Sequence, residues 1–136
     1  MKKLILVCLL AAFLNGCSSH SAPGSVKEKV GLKLSAQPRR GFRPLRVTFR
    51  ATLQGVSETD PNYYCLEEKW DFGDGAVSSE KPHCEPFDEV SKIRTEFIVD
   101  HLYDDHGTFT VFLTLGDRKI RSNNSSIIVL KDASTP

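Results

Sequence analysis

An aromatic run that stops on a turn, Trp70-Asp71-Phe72-Gly73-Asp74-Gly75, constrains this chain more than any other part of its sequence. Glycine takes positive φ without steric cost and aspartate tolerates it, so a strand ending in Asp-Gly predicts a tight hairpin. Downstream, His101-Leu102-Tyr103 precedes Gly107-Thr108-Phe109-Thr110-Val111-Phe112-Leu113, whose alternation predicts a second long strand of the same sandwich.

Other segments read the same way. Val30 to Ala36 alternates apolar with small or polar residues, and Gln37-Pro38-Arg39-Arg40-Gly41 breaks it, because proline cannot donate to a ladder. Leu45 to Leu53 has the cleanest period of two, with Leu45, Val47, Phe49, Ala51 and Leu53 on one side and Arg46, Thr48, Arg50 and Thr52 on the other. A one-residue slip would expose the whole apolar set, so this register is well determined. In the next strand Tyr64, Leu66 and Trp70 share a face with Glu68, which sits at the sandwich margin unless a bulge changes the parity. Trp70 is the expected central core residue, and its indole N–H needs a partner. Phe109, Val111, Leu113 and Leu115 are expected in the opposite sheet, closed by Ile120 and Ile127 to Leu130.

The W-D-F-G-D-G string, the H-x-Y pair at His101 and Tyr103, and the glycine-led strand from Gly107 occur in an order that resembles the PKD domain. That family is a small immunoglobulin-like sandwich common in bacterial and archaeal surface proteins. The resemblance implies an all-β, immunoglobulin-like β-sandwich of PKD type over residues 30–131, in which Trp70 to Gly75, His101, Tyr103 and Gly107 have structural roles. Three features depart from the family pattern. The segment from Ala76 to Asp100 is long and carries Cys84, Asp105-His106-Gly107 replaces a common Pro-Gly turn, and Glu68 stands where an aromatic often precedes the tryptophan. Modules of this shape host many binding roles, so the fold alone names none.

The start of the chain speaks to its address. Met1-Lys2-Lys3 followed by the 11 residues Leu4 to Leu14 has the form of a secretory signal over residues 1–16. A membrane-spanning helix needs about 20 apolar residues, so this run is too short to be one. Its end, Leu14-Asn15-Gly16-Cys17, resembles the lipobox of bacterial lipoproteins, which implies cleavage before Cys17 and acylation of that residue. Several acyl chains anchor stably where one is marginal. By resemblance to Gram-negative lipoprotein sorting, Ser18 rather than aspartate after the cysteine implies the outer membrane. Residues 17–29 then read as a lipidated cysteine and a flexible tether, and residues 132–136 as a polar tail.

Composition narrows the function classes. The chain has 18 basic and 17 acidic residues, and removing Lys2 and Lys3 with the signal leaves a net charge near −1. No bulk field for nucleic acid follows from that balance. Of four cysteines, Cys8 lies in the signal and Cys17 is the lipid site, which leaves Cys65 and Cys84. In an exported protein these two are expected to form a disulfide, worth ~3 kcal/mol in the chain-entropy model. The competing reading, a metal site with His83 beside Cys84, lacks a second ligand pair at zinc spacing.

Three groups of residues invite a chemical reading. Asp71 and Asp74 offer oxygens for Ca²⁺, yet too few in a row for an EF-hand loop, and aspartates in such turns bond backbone amides. Asp100-His101-Leu102-Tyr103-Asp104-Asp105-His106 is dense in titratable groups, but nucleophile-elbow and zinc-protease motifs are absent, so no catalytic residue and no cofactor are assigned. The third group is a surface: Arg39, Arg40 and Arg43 in one early segment, with Tyr63, Phe87 and Phe112 as expected exposed aromatics. Arginine with aromatics is the composition of protein-interface hot spots, and aromatics also stack on sugars. The expected function is a non-catalytic module of the cell envelope for protein interaction or structural support, with carbohydrate or peptidoglycan binding as the alternative.

Overall fold

The computed structural model describes residues 29–117 and 120–132. The signal at 1–16, the lipid site Cys17, most of the tether and the end of the tail lie outside them. Among the described residues there are nine strands: β1 (Gly31–Gln37), β2 (Arg40–Phe42), β3 (Leu45–Gln54), β4 (Glu68–Asp71), β5 (Val77–Glu80), β6 (Glu96–Tyr103), β7 (Gly107–Leu115), β8 (Ile120–Arg121) and β9 (Ser125–Leu130). A 3-10 turn, Pro61–Tyr63, is capped by the Asp60 carboxylate.

The strands form a three-stranded sheet, β1-β3-β6, and a six-stranded one, β2-β9-β7-β4-β5 with β8 alongside β7. Leu32, Leu34, Val47, Phe49 and Ala51 of the first face Trp70, Val111, Leu113, Leu115, Ile127 and Val129 of the second in one buried cluster. Each of the larger aliphatic and phenyl side chains contributes roughly 1.5 to 3 kcal/mol on leaving water. β3 alternates buried and exposed along its length, as its sequence period requires.

Four expectations are corrected. The break after β1 is confined to Pro38 and Arg39: Arg40–Phe42 is a short strand running parallel to β9, pairing Arg40 with Ile128 and Phe42 with Leu130. The strand carrying Trp70 is only four residues long, so Tyr64 and Leu66 precede it in irregular chain. β7 does not stand opposite the tryptophan strand but pairs with it directly, Leu113 against Trp70. The turn after Asp71 is not a two-residue Asp-Gly hairpin, because the β4–β5 ladder closes at Asp71 and Val77 and leaves residues 72–76 as the loop.

Glu68 settles the parity question without a bulge. It lies on the inner face beside Trp70 and is only 4% exposed. One carboxylate oxygen accepts the indole N–H of Trp70 at 3.3 Å and the other meets the guanidinium of Arg94. The edge of β1 is closed by a side chain: Asn123 accepts from the Leu34 amide at 2.8 Å and donates to the Leu34 carbonyl at 3.1 Å, copying a missing strand. Among the described residues every buried side-chain nitrogen and oxygen has a partner.

Candidate functional site

Cys65 and Cys84 are joined in a disulfide. It pins the segment between β5 and β6 back to the approach to β4. Cys65 has φ 55, a left-handed backbone conformation at a residue that carries a Cβ. The pinned segment lies at one end of the sandwich, where the chain also enters β1. The 72–76 turn lies at the other, since β4 and β6 both run away from that entrance.

The motif residues meet at this second end. Asp71 Oδ1 accepts the Gly73 amide and Asp74 Oδ1 accepts the Ala76 amide, each at 3.0 Å. His101 Nε2 donates to Asp74 Oδ2 at 2.7 Å, and its ring stacks on Phe72 at 4.0 Å. The Tyr103 hydroxyl donates to the Phe72 carbonyl at 2.9 Å. Burial works to raise the Asp74 carboxyl, but the bonds from His101 and Ala76 outweigh it and hold the group below its ordinary value. Burial, and then the charges of Asp74 and Asp71, push the Tyr103 phenol well above its ordinary value. Gly107 opens β7 beside this cluster. Asp71 and Asp74 thus spend oxygens on turn amides and on His101, and among the described residues no group of three His, Cys, Asp or Glu side chains is placed to hold a metal ion. The cluster locks a turn; it presents no free nucleophile beside a base.

The surface residues are placed differently from the expectation. Arg39 and Arg40 are exposed, whereas Arg43 is half-buried and pairs with Asp132 at 3.4 Å. None of the three aromatics read as exposed is so. Tyr63 packs on the core, and Phe87 is half-buried near Tyr64, ring edge to ring face at 5.2 Å. Phe112 points outward as its parity requires, but the guanidinium of Arg121 covers it at 3.8 Å. Tyr63 and Phe87 belong to the disulfide-pinned end, whose fold-back has no periodic signal in sequence, and the cover on Phe112 comes from β8.

Among the described residues the aromatic that is exposed is Phe42, which sequence reasoning passed over. It is 52% exposed and lies across β2–β9 from Leu130, with exposed Ile128 and Arg40 paired one step along. The signal was available: an aromatic between Arg40 and Arg43, bracketed by Pro38 and Pro44, in a segment too short to cover it. The same sheet face carries a concavity of about 560 Å³ lined by Glu67, Lys69, Asp71, Phe112, Thr114, Gly116 and Asp117.

A family model described as PKD domain matches residues 31–129. No curated protein matches the chain. Among solved structures it is similar to the PKD domain of an M14-like peptidase from a Thermoplasmatales archaeon, at 20% identity over 74% of this chain and 92% of that one, with a TM-score of 0.47. With the W-D-F-G-D-G turn, the H-x-Y strand and the family model spanning β1 to β9, this chain belongs to the PKD domain family.

Proposed function

We propose that this PKD module is a non-catalytic part of a bacterial cell envelope, anchored through acyl chains on Cys17, that holds a protein partner on the β2–β9 edge of its six-stranded sheet. The observation that carries the reading is the pairing of exposed Phe42 and Ile128 with exposed Arg39 and Arg40. An arginine-flanked aromatic is the composition of interface hot spots. The absence of catalysis is supported by the use made of the titratable cluster, whose His101, Asp74 and Tyr103 are bonded to one another or to the turn. The alternative of sugar binding is weaker, because Tyr63, Phe87 and Phe112 are packed or covered rather than open as stacking platforms.

The test places a photo-crosslinking residue at position 42 of the full chain in its native envelope, with position 35 on the opposite sheet as control. A discrete protein adduct at 42, absent at 35 and lost with Arg39→Glu and Arg40→Glu, supports the reading. Equal labelling at both positions, or a glycan bound in place of protein, overturns it. The anchor is tested apart from the surface: Cys17→Ser is expected to release the protein from membranes, and retention rules out lipidation there.

A further inference from the structure

The three-stranded sheet ends on β1 at one side and on β6 at the other. Leu53 donates its amide to the Thr95 carbonyl at 2.8 Å, which extends the β3–β6 register by one step and marks that step as a hydrogen-bonded pair. Every second residue of β6 from Phe97 onward therefore turns its N–H and C=O toward β3, and Glu96, Ile98, Asp100 and Leu102 turn theirs outward. The same parity holds on β1, where Leu34 faces away from β3 and Asn123 takes both of its groups. At the start of β6 Arg94 donates Nε–H to the Glu96 carbonyl at 3.0 Å. Beyond that point, among the described residues, the chain gives no partner to the amides and carbonyls of Ile98, Asp100 and Leu102. No other sheet edge has so long an open run among these residues: by the same reasoning β2 turns only Arg40 and Phe42 outward, and β5 only Val77 and Ser79.

The side chains of the three open positions lie on the outer face, where Ile98 and Leu102 are 45% and 39% exposed and the Asp100 carboxylate stands exposed between them. Glu96 is paired with Arg50, whereas Asp100 receives only the Thr48 hydroxyl, at 2.6 Å, and among the described residues it joins no ion pair. Arg46 stands diagonally behind Asp100 on β3, opposite Leu102 and on the side away from the edge. Asp104 and Asp105, exposed just past the end of β6, carry the same sign as Asp100. We infer that this edge receives an extended segment of a partner protein as an added antiparallel strand, and that the segment sets a lysine or arginine opposite Asp100 with an aliphatic side chain two residues to either side. In strand addition the main chain supplies affinity and alternate side chains supply selectivity. Here the main chain offers three N–H and three C=O groups, and the side chains offer an apolar, an acidic and an apolar position in turn.

The carboxylate also decides against a second copy of this chain. Outward-facing residues pair with outward-facing residues, so an antiparallel register of β6 with itself that overlaps these three positions sets Asp100 against Asp100, Glu96, Asp104 or an aliphatic side chain. Like charges directly opposite destabilise a strand pair, and a charge opposite an aliphatic gains nothing. A charge in the middle of an edge strand is a common guard against self-pairing, and it leaves the edge open to a strand of the opposite sign. This edge lies on the other sheet from Phe42, so the inference does not rest on the β2–β9 surface and has its own test.

The test uses the full chain in detergent micelles and a synthetic heptapeptide, blocked at both ends, with isoleucine, lysine and leucine at its second, fourth and sixth positions and threonine elsewhere. Without peptide, the amides of Ile98, Asp100 and Leu102 are expected to exchange rapidly while those of Phe97, Val99 and His101 are protected; millimolar peptide should protect the first three. Replacing the peptide's lysine by glutamate should weaken binding about tenfold, and Asp100→Lys should reverse the preference. Asp100 is exposed, so melting curves of this variant should match the wild type. An N-methyl group on the lysine amide, which faces the edge, should abolish binding, whereas one on a neighbouring threonine amide, which faces away, should not. Slow exchange at all three amides before peptide is added overturns the inference, since it means that another segment of this chain or a second copy already covers the edge. So do a lack of protection at millimolar peptide, binding indifferent to the sign of the central charge, and equal loss from the two N-methyl groups.

Discussion

Trp70 and Glu68, two residues apart on one strand, are joined inside the core: the indole N–H donates to the carboxylate at 3.3 Å, and Arg94 closes on its other oxygen. A charge is thus kept in the sandwich because both of its oxygens are used. Removing the arginine should hurt most. Arg94→Met leaves the buried carboxylate with one neutral donor and is expected to cost about 3 kcal/mol, the low end for a broken buried pair because the guanidinium is itself half exposed. Glu68→Gln keeps an acceptor for the indole and should cost about 1 kcal/mol. The double variant should recover most of the Arg94→Met loss. Urea unfolding of the four proteins checks this, and additive losses would show that the pair is not coupled.

Two glycines of the same turn separate backbone conformation from space. Gly73 has φ +79, and a Cβ built there would lie 2.5 Å from the Thr110 carbonyl oxygen; Gly75 has φ +94 with nothing within 4 Å. Gly73→Ala must displace β7 backbone and is expected to cost more than 3 kcal/mol, whereas Gly75→Ala pays about 1 kcal/mol for the left-handed conformation alone. Thermal melts should rank Gly73→Ala well below Gly75→Ala. Equal shifts would mean that the close approach to Thr110 is not what demands glycine at Gly73.

The strands that bury one face were legible in the sequence because period two is a local signal. Leu45 to Leu53 shows this best, its alternation reappearing residue by residue in the burial of β3. What was not legible depends on partners distant in sequence. Arg40–Phe42 is a strand only because β9 arrives nearly ninety residues later to pair with it. Phe112 reads as exposed until Arg121 is placed over it, and Tyr63 and Phe87 until the disulfide folds their segment back. Glu68 looked awkward because Arg94, which takes its second oxygen, lies outside β4 and far along the chain. The turn was the opposite case, as Asp71 and Asp74 accept amides two residues on, which is local chemistry.

The disulfide closes a loop of sequence separation 19, and the chain-entropy model assigns it about 3 kcal/mol. Cys65→Ala with Cys84→Ala should lose about that much. Because Cys65 has φ 55, the replacement at this position matters. Cys65→Gly with Cys84→Ala is expected to be more stable than the double alanine variant by about 0.5–1 kcal/mol, as glycine relieves the left-handed strain at some entropic cost. Hydrogen exchange should show lost protection concentrated between β5 and β6 rather than in β3. Protection lost evenly across both sheets would mean that the bridge supports the whole sandwich.

Tyr103 links the turn to stability at high pH. Its phenol is buried, donates to the Phe72 carbonyl at 2.9 Å and is held protonated by burial and by the nearby carboxylates of Asp74 and Asp71. The folded value is raised above the unfolded one, near 10, so the contribution is fully present below pH 10. Above that the unfolded chain releases a proton that the folded chain retains, and stability falls as pH rises. Tyr103→Phe should cost about 1–2 kcal/mol at neutral pH, because the Phe72 carbonyl loses its donor. It should also flatten the decline above pH 10. Asp74 acts at the other limit: its value is depressed in the folded state, so its contribution is present above the unfolded value of 3.8 and is lost as pH falls below it. Melting curves of wild type and Tyr103→Phe from pH 7 to 11 decide the alkaline case; parallel declines would place the titrating group elsewhere.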